Sequence, residues 1–263
     1  MPKETIHFAH ANGFPARTYN KLFSFLTDDF EINYLERHAH NPKFPVANGW
    51  ERLRDELRED IEKRYAGEKI VGVGHSLGGI LHLLVAVEKP ELYEAIVLLD
   101  APVISRLSSF GIKILKRARL LEKIPLVKTT RFRRSRWRTR NEAFEHFLAK
   151  EKFQKFDREV LRDYVRYGTT EDESGVNLFF KPSVEAKIYQ TLPDYLPKLK
   201  GKLKVPTAYI GGTRSQEARL ARLGFMRKHF SFQFRLVEGT HLFPFEKPRE
   251  TAIAIKEIIK PIR

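Results

Sequence analysis

Short apolar runs alternate with amphipathic stretches along the chain, a rhythm that predicts a parallel sheet with crossover helices. Six runs read as strands: Thr5 to Ala9, Glu31 to Leu35, Lys69 to Gly74, Ala95 to Asp100, Thr207 to Gly211 and Gln233 to Glu238. Between the second and third, Trp50, Leu53, Leu57, Ile61 and Tyr65 recur at three- and four-residue steps, which places them on one face of a helix with Asn48 as its expected cap. Leu77 to Glu88 is apolar nearly all round and predicts a buried helix. Arg249 to Ile259 predicts another, with Ile253, Ile255, Ile258 and Ile259 partly on one side.

The rhythm stops between Pro102 and about Gln190, where no run reads as a strand and helix-like segments follow one another. The expected organisation is a core built from residues 1–102 and 190–263, interrupted by a helical lid over 103–189. Charge sharpens this division. The chain carries a formal net charge of +15, and Lys113 to Arg140 holds twelve basic residues against one acidic residue, Glu122. Phe132 and Trp137 lie among the arginines of 131–140. Such a run reads first as the solvated face of a lid and second as a contact for anionic lipid headgroups. Nucleic acid is disfavoured because no RNA- or DNA-binding module accompanies it. Phe110, Phe132, Trp137, Phe144 and Phe147 read as the lid's own core in preference to a pocket lining.

The absence of cysteine excludes disulfide scaffolds, Cys-ligated metals and thiol nucleophiles. The opening residues hold no apolar h-region, which favours a cytoplasmic protein. The best apolar runs, Ile80 to Val87 and Ala95 to Leu99, fall well short of the roughly 20 residues that span a bilayer. His38 and His40, two apart with no carboxylate beside them, make a poor metal site and read as part of a loop at a pocket mouth. No cofactor is expected.

The chemistry concentrates at Gly74-His75-Ser76-Leu77-Gly78, a Gly-x-Ser-x-Gly pattern that follows an apolar strand and opens an apolar helix. A nucleophilic serine must project from a sharp turn, so small residues are needed two positions to either side, and the helix that follows points free N–H groups at a nearby oxyanion. On these residues the chain resembles the α/β-hydrolase superfamily. The resemblance implies a mostly parallel six-stranded α/β sheet and carries three further roles onto this sequence. His10-Ala11-Asn12-Gly13-Phe14 departs from the superfamily's His-Gly element by two inserted residues. Matching Gly13 to the family glycine makes the Phe14 and Leu77 N–H groups the expected oxyanion donors. His241, in the loop after the last strand, is the expected base. The acid departs most: Ser215 stands where many relatives carry an aspartate, and Asp100, ending the strand after the nucleophile helix, matches the position used by other members. Glu217 remains the substitute candidate.

The implied order Ser76, Asp100, His241 is that of a serine hydrolase acting on a carboxylic ester of a small or medium substrate. A thioester or C–C bond hydrolase would use the same residues. A non-catalytic protein binding through its basic lid is the reading from a different class. Dehalogenase and epoxide hydrolase chemistry is disfavoured, because those relatives have an aspartate where Ser76 stands.

Overall fold

The structure is a computed structural model that describes residues 3–262. The six expected strands form, with ends shifted by at most two residues. They are β1 (Glu4–Ala9), β2 (Phe30–Tyr34), β3 (Ile70–His75), β4 (Tyr93–Leu99), β8 (Thr207–Gly212) and β9 (Gln233–Val237), the labels β5 to β7 belonging to the insertion. All pair in parallel in the order β2-β1-β3-β4-β8-β9. Successive side chains of a strand point to opposite faces, so β3 and β4 feed two cores. Val71, Val73, Val97 and Leu99 join the Pro248–Ile262 helix on one face, while Ile70, Ile96 and Leu98 join the Glu51–Arg64 and Leu77–Glu88 helices on the other. A sheet covered on both faces explains why its central strands are apolar runs without alternation.

Two local expectations are corrected. Asn48 does not cap the Glu51–Arg64 helix; it opens a 3-10 turn, Asn48–Trp50, and Trp50 takes the cap position in a left-handed conformation, φ 62°. That backbone lets the Trp50 indole N–H donate to the Ile188 carbonyl at 3.1 Å and the Gly49 N–H to Thr191 O at 2.9 Å, so the turn is shaped by the inserted segment. In the C-terminal helix Ile255, Ile258 and Ile259 are buried but Ile253 is exposed.

The insertion between β4 and β8 is not purely helical. It carries β5 (Arg136–Trp137), β6 (Thr169–Asp172) and β7 (Gly175–Leu178), which form an antiparallel sheet in the order β5-β7-β6. Strands of two to four residues with sequences such as Thr-Thr-Glu-Asp are too short and too polar for a period of two to show. Its aromatic residues divide. Trp137 and Phe147 are buried and Phe144 packs against them, whereas Phe110 and Phe132 face solvent. The buried ones join Phe14, Phe153, Phe156 and Tyr164 in one cluster continuous with the sheet core, so the insertion is fused to the body of the protein.

Candidate active site

Ser76 sits between the end of β3 and the Leu77–Glu88 helix with φ 52° and ψ −112°. A non-glycine residue in that region is strained by about 1–3 kcal/mol and persists only where its surroundings hold it. They do so closely. A Cβ on Gly78 would lie 2.0 Å from the Ala9 carbonyl oxygen of β1, and one on Gly74 would lie 2.4 Å from the Gly78 carbonyl carbon. Glycine at both positions is therefore a packing requirement of the elbow.

The Ser76 hydroxyl lies 3.0 Å from His241 Nε2, and His241 Nδ1 lies 2.7 Å from Asp100 Oδ2. Strand ends supply two members of this relay, and the loop after β9 supplies the third. Asp100 is fully buried and left-handed, φ 43°, directly after β4. Burial alone would raise its pKa. The hydrogen bond and charge of His241, with hydroxyl donors from Ser215 and Tyr209, outweigh that and hold it below the usual carboxylate range. Burial likewise presses His241 down, but the bond to Asp100 and the charges of Glu217 and Asp100 raise it above the ordinary imidazole value. Glu217 Oε2 is 3.9 Å from His241 Nδ1 and half exposed, so Glu217 acts on the ring through its field and makes no hydrogen bond to it.

Ser215 completes the surroundings of Asp100. It occupies the position where many relatives place the acid, and here its hydroxyl donates to Asp100 while accepting from the Ala218 N–H at 3.1 Å. A carboxylate at this position would face Asp100 with like charge, so a hydroxyl here suits the buried Asp100.

His75, read from sequence as a structural residue, is buried and holds the site together. Its ring contacts the Tyr19 hydroxyl at 2.7 Å through Nδ1 and the His241 carbonyl at 2.9 Å through Nε2, while Tyr19 accepts from the Ala11 N–H at 3.1 Å. Burial pushes His75 down to about 3, so the ring is neutral and donates from one nitrogen only. With Nε2–H given to His241 and Nδ1 accepting from Tyr19, one chain of bonds links the loop after β1 to the backbone of His241. No sequence pattern joins Tyr19, His75 and His241.

The oxyanion expectation is half revised. Leu77 opens its helix, so its N–H has no acceptor within the helix. Phe14 differs. Gly13, at φ 82°, closes a tight turn in which the Phe14 N–H donates to the Ala11 carbonyl at 3.1 Å, and the Phe14 ring packs among Phe156, Tyr164 and Phe245. The amides of that turn that donate to nothing among the described residues are those of Asn12 and Gly13. The insertion covers the same turn: the Asn12 side chain donates to Glu185 O at 3.1 Å, and Glu185 forms a buried ion pair with Arg133.

His38 and His40 are engaged elsewhere. His38 is buried with its ring 4.5 Å from that of His10, and His40 Nε2 accepts from the Lys181 N–H at 3.1 Å. Among the described residues, the one group of three side chains placed to share a cation is Asp100, Glu217 and His241. Two of those three are already hydrogen-bonded to each other as the relay.

Residues 8–254 match the sequence model of the Alpha/beta hydrolase family. The chain belongs to this family. Its six-stranded parallel sheet is that of an α/β-hydrolase core. A search of curated proteins finds no match. Among solved structures, the protein is similar to E-2-(acetamidomethylene)succinate hydrolase at 18% identity and a TM-score of 0.78, over 98% of this chain and 91% of that one. It is also similar to the peroxisomal alpha-beta-hydrolase Lpx1 of Saccharomyces cerevisiae, at 16% identity and a TM-score of 0.77, over 98% and 76%. A thioesterase domain from the curacin biosynthetic pathway matches at 12% identity and a TM-score of 0.73, over 97% and 91%. At these identities the likeness establishes the fold, and the family membership makes the α/β-hydrolase core one of hydrolytic chemistry. No helix among the described residues is long and apolar enough to cross a membrane.

Proposed function

We propose that this α/β-hydrolase cleaves a small carboxylic ester through an acyl-enzyme on Ser76. The observation that carries the reading is the unbroken relay from Ser76 Oγ through both nitrogens of His241 to buried Asp100. Ser76 Oγ attacks the carbonyl carbon as His241 Nε2 takes its proton, and Asp100 accepts from Nδ1–H and stabilises the imidazolium. The Leu77 N–H and a free amide of the Ala11–Phe14 turn, Asn12 or Gly13, receive the oxyanion. His241 then returns its proton to the leaving alkoxide. Water, deprotonated by the same nitrogen, attacks the acyl carbonyl and releases the acid with Ser76 restored. The basic insertion serves as the lid above the acyl site, a role supported by its contacts to the Asn12–Gly13 turn.

The test is hydrolysis of a series of p-nitrophenyl esters of increasing acyl length, with a thioester series in parallel and Ser76→Ala as control. The expected result is turnover that falls by about 10⁶ in the variant, together with labelling of Ser76 by a serine-directed phosphonate. Equal activity in the variant, or no labelling and no turnover on any ester, would reject the reading. Thioester turnover far above ester turnover would keep Ser76 as nucleophile and change the substrate class.

A further inference from the structure

Among the exposed large apolar residues left outside both cores, Leu107, Phe110 and Ile114 share one helix of the insertion. The Arg106–Arg117 helix is fastened by its inner face: buried Ser109 donates from its hydroxyl to Asp194 O, and Lys116 Nζ donates to Leu192 O at 2.6 Å and to Asp194 Oδ2 at 3.1 Å. Ser105 caps it by accepting from the Ser108 N–H at 3.2 Å. On the outer face Leu107, Phe110 and Ile114, at steps of three and four, are 70%, 61% and 49% exposed. Beside this stripe run Arg106, Lys113 and Arg117, all exposed, and none has a carboxylate within ion-pair distance among the described residues. Past the helix the basic segment is mixed: Arg133, Arg134 and Arg140 are ion-paired, whereas Arg119, Lys123, Lys128 and Arg131 have no carboxylate within ion-pair distance among the described residues.

We propose that the outer face of this helix docks on an anionic lipid surface, lying in the plane of the headgroups. Each half of the face finds its complement there: three large apolar side chains enter the acyl boundary, and the flanking cations meet lipid phosphates. Twelve residues at 1.5 Å each make a helix of about 18 Å, suited to lying in the interface and too short to cross it. Charge argues against the other occupants. A second copy meeting this face would set two unpaired basic rows against each other. A nucleic acid would satisfy the cations, but phosphates offer nothing to Leu107 and Ile114 and leave both in water. The proposal is independent of the catalytic reading, since it uses no residue of the Ser76 relay.

The experiment is co-sedimentation of the full chain with vesicles of phosphatidylcholine alone and of phosphatidylcholine mixed with phosphatidylglycerol. Binding is expected only to the anionic vesicles, weakening as salt is raised. The triple variant Leu107→Gln, Phe110→Gln, Ile114→Gln keeps the net charge and is expected to bind about tenfold less or weaker. Arg106→Gln, Lys113→Gln, Arg117→Gln, with the stripe intact, is expected to lose a comparable amount and much of the salt dependence. Unchanged circular dichroism and unfolding midpoint show that both variants are folded. Absence of binding to anionic vesicles overturns the proposal, as does equal binding by the apolar variant. Binding of mixed-sequence RNA without vesicle binding assigns the face to nucleic acid instead. A dimer that the apolar variant dissociates, again without vesicle binding, assigns it to self-association.

Discussion

At the scale of single residues, the relay contains two carboxylates in reach of one imidazole, and their geometry assigns them different work. Asp100 is buried, hydrogen-bonded at 2.7 Å and supported by two hydroxyls, whereas Glu217 stands 3.9 Å off and half in solvent. Asp100→Asn removes the acceptor that fixes the Nδ1–H tautomer, and turnover on an ester is expected to fall by about 10⁴. Glu217→Gln removes only a charge that raises the His241 pKa. Its expected effect is a shift of the acid limb of the kcat/KM profile to lower pH, because the base then loses its proton earlier, with turnover at neutral pH changed by less than about tenfold. A pH profile of both variants checks this. Loss of turnover in Glu217→Gln with survival in Asp100→Asn would exchange the two roles. Ser76 was legible from its motif, whereas Asp100 and His241 were expected through the resemblance to the α/β-hydrolase superfamily, and the structure brings the three side chains together. The fate of the Phe14 N–H was not legible: Gly13 announces a turn, but which amides that turn uses up depends on its type.

Among elements, the join between insertion and core turns on Arg133 and Glu185, a buried ion pair placed over the turn after β1. Burial raises the Glu185 pKa, and Arg133 and Lys152 pull it only part of the way back. Removing one partner leaves an uncompensated buried charge, whereas replacing both with apolar groups need not. Arg133→Met is therefore expected to destabilise by about 3 kcal/mol, the lower end of the usual range because Lys152 remains nearby, and Arg133→Met with Glu185→Leu is expected to recover most of it. In the single variant Glu185 keeps a raised folded-state pKa. Its protonated form then stabilises the fold at low pH and that contribution is lost as pH rises, so the single variant's deficit shrinks on acidification. Urea unfolding of the two variants at two pH values measures both effects; a double variant no better than the single one would show that the pair is not the source of the cost. None of this was readable in the chain. Arg133 is one of six arginines in ten residues, and its partner lies 52 positions away. The inner strands β3, β4 and β8 were readable because they are apolar and buried on both faces, whereas β5 to β7 are brief pairings held by their neighbours.

For the molecule as a whole, the distribution of buried histidines dictates how it responds to acid. His7, His10, His38, His75 and His82 are fully buried, and burial lowers each of them, His10 to about 4 and His75 to about 3, even where His7 meets Asp60 at 3.0 Å. Above pH 6.5 these rings are neutral whether the chain is folded or not. Below it the unfolded chain takes up protons that the folded chain refuses, so stability falls with pH until the folded-state values are reached. At pH 5 a ring held near pKa 4, as His10 is, costs about 2 kcal/mol, a large share of the roughly 5–15 kcal/mol that stabilises a domain. His241 works the other way: its raised pKa stabilises below 6.5 and that contribution is lost as pH rises, but it is one group against five. Asp100, held low, loses its stabilising charge only at pH values below this window. The formal net charge of +15 adds self-repulsion in the compact state throughout this window. The urea midpoint is therefore expected to drop steeply between about pH 7 and about pH 5, with net uptake of several protons on unfolding within that range. A midpoint flat across it would mean that the histidines carry protons inside the fold, and that the polar contacts around His7, His10 and His75 accommodate charge.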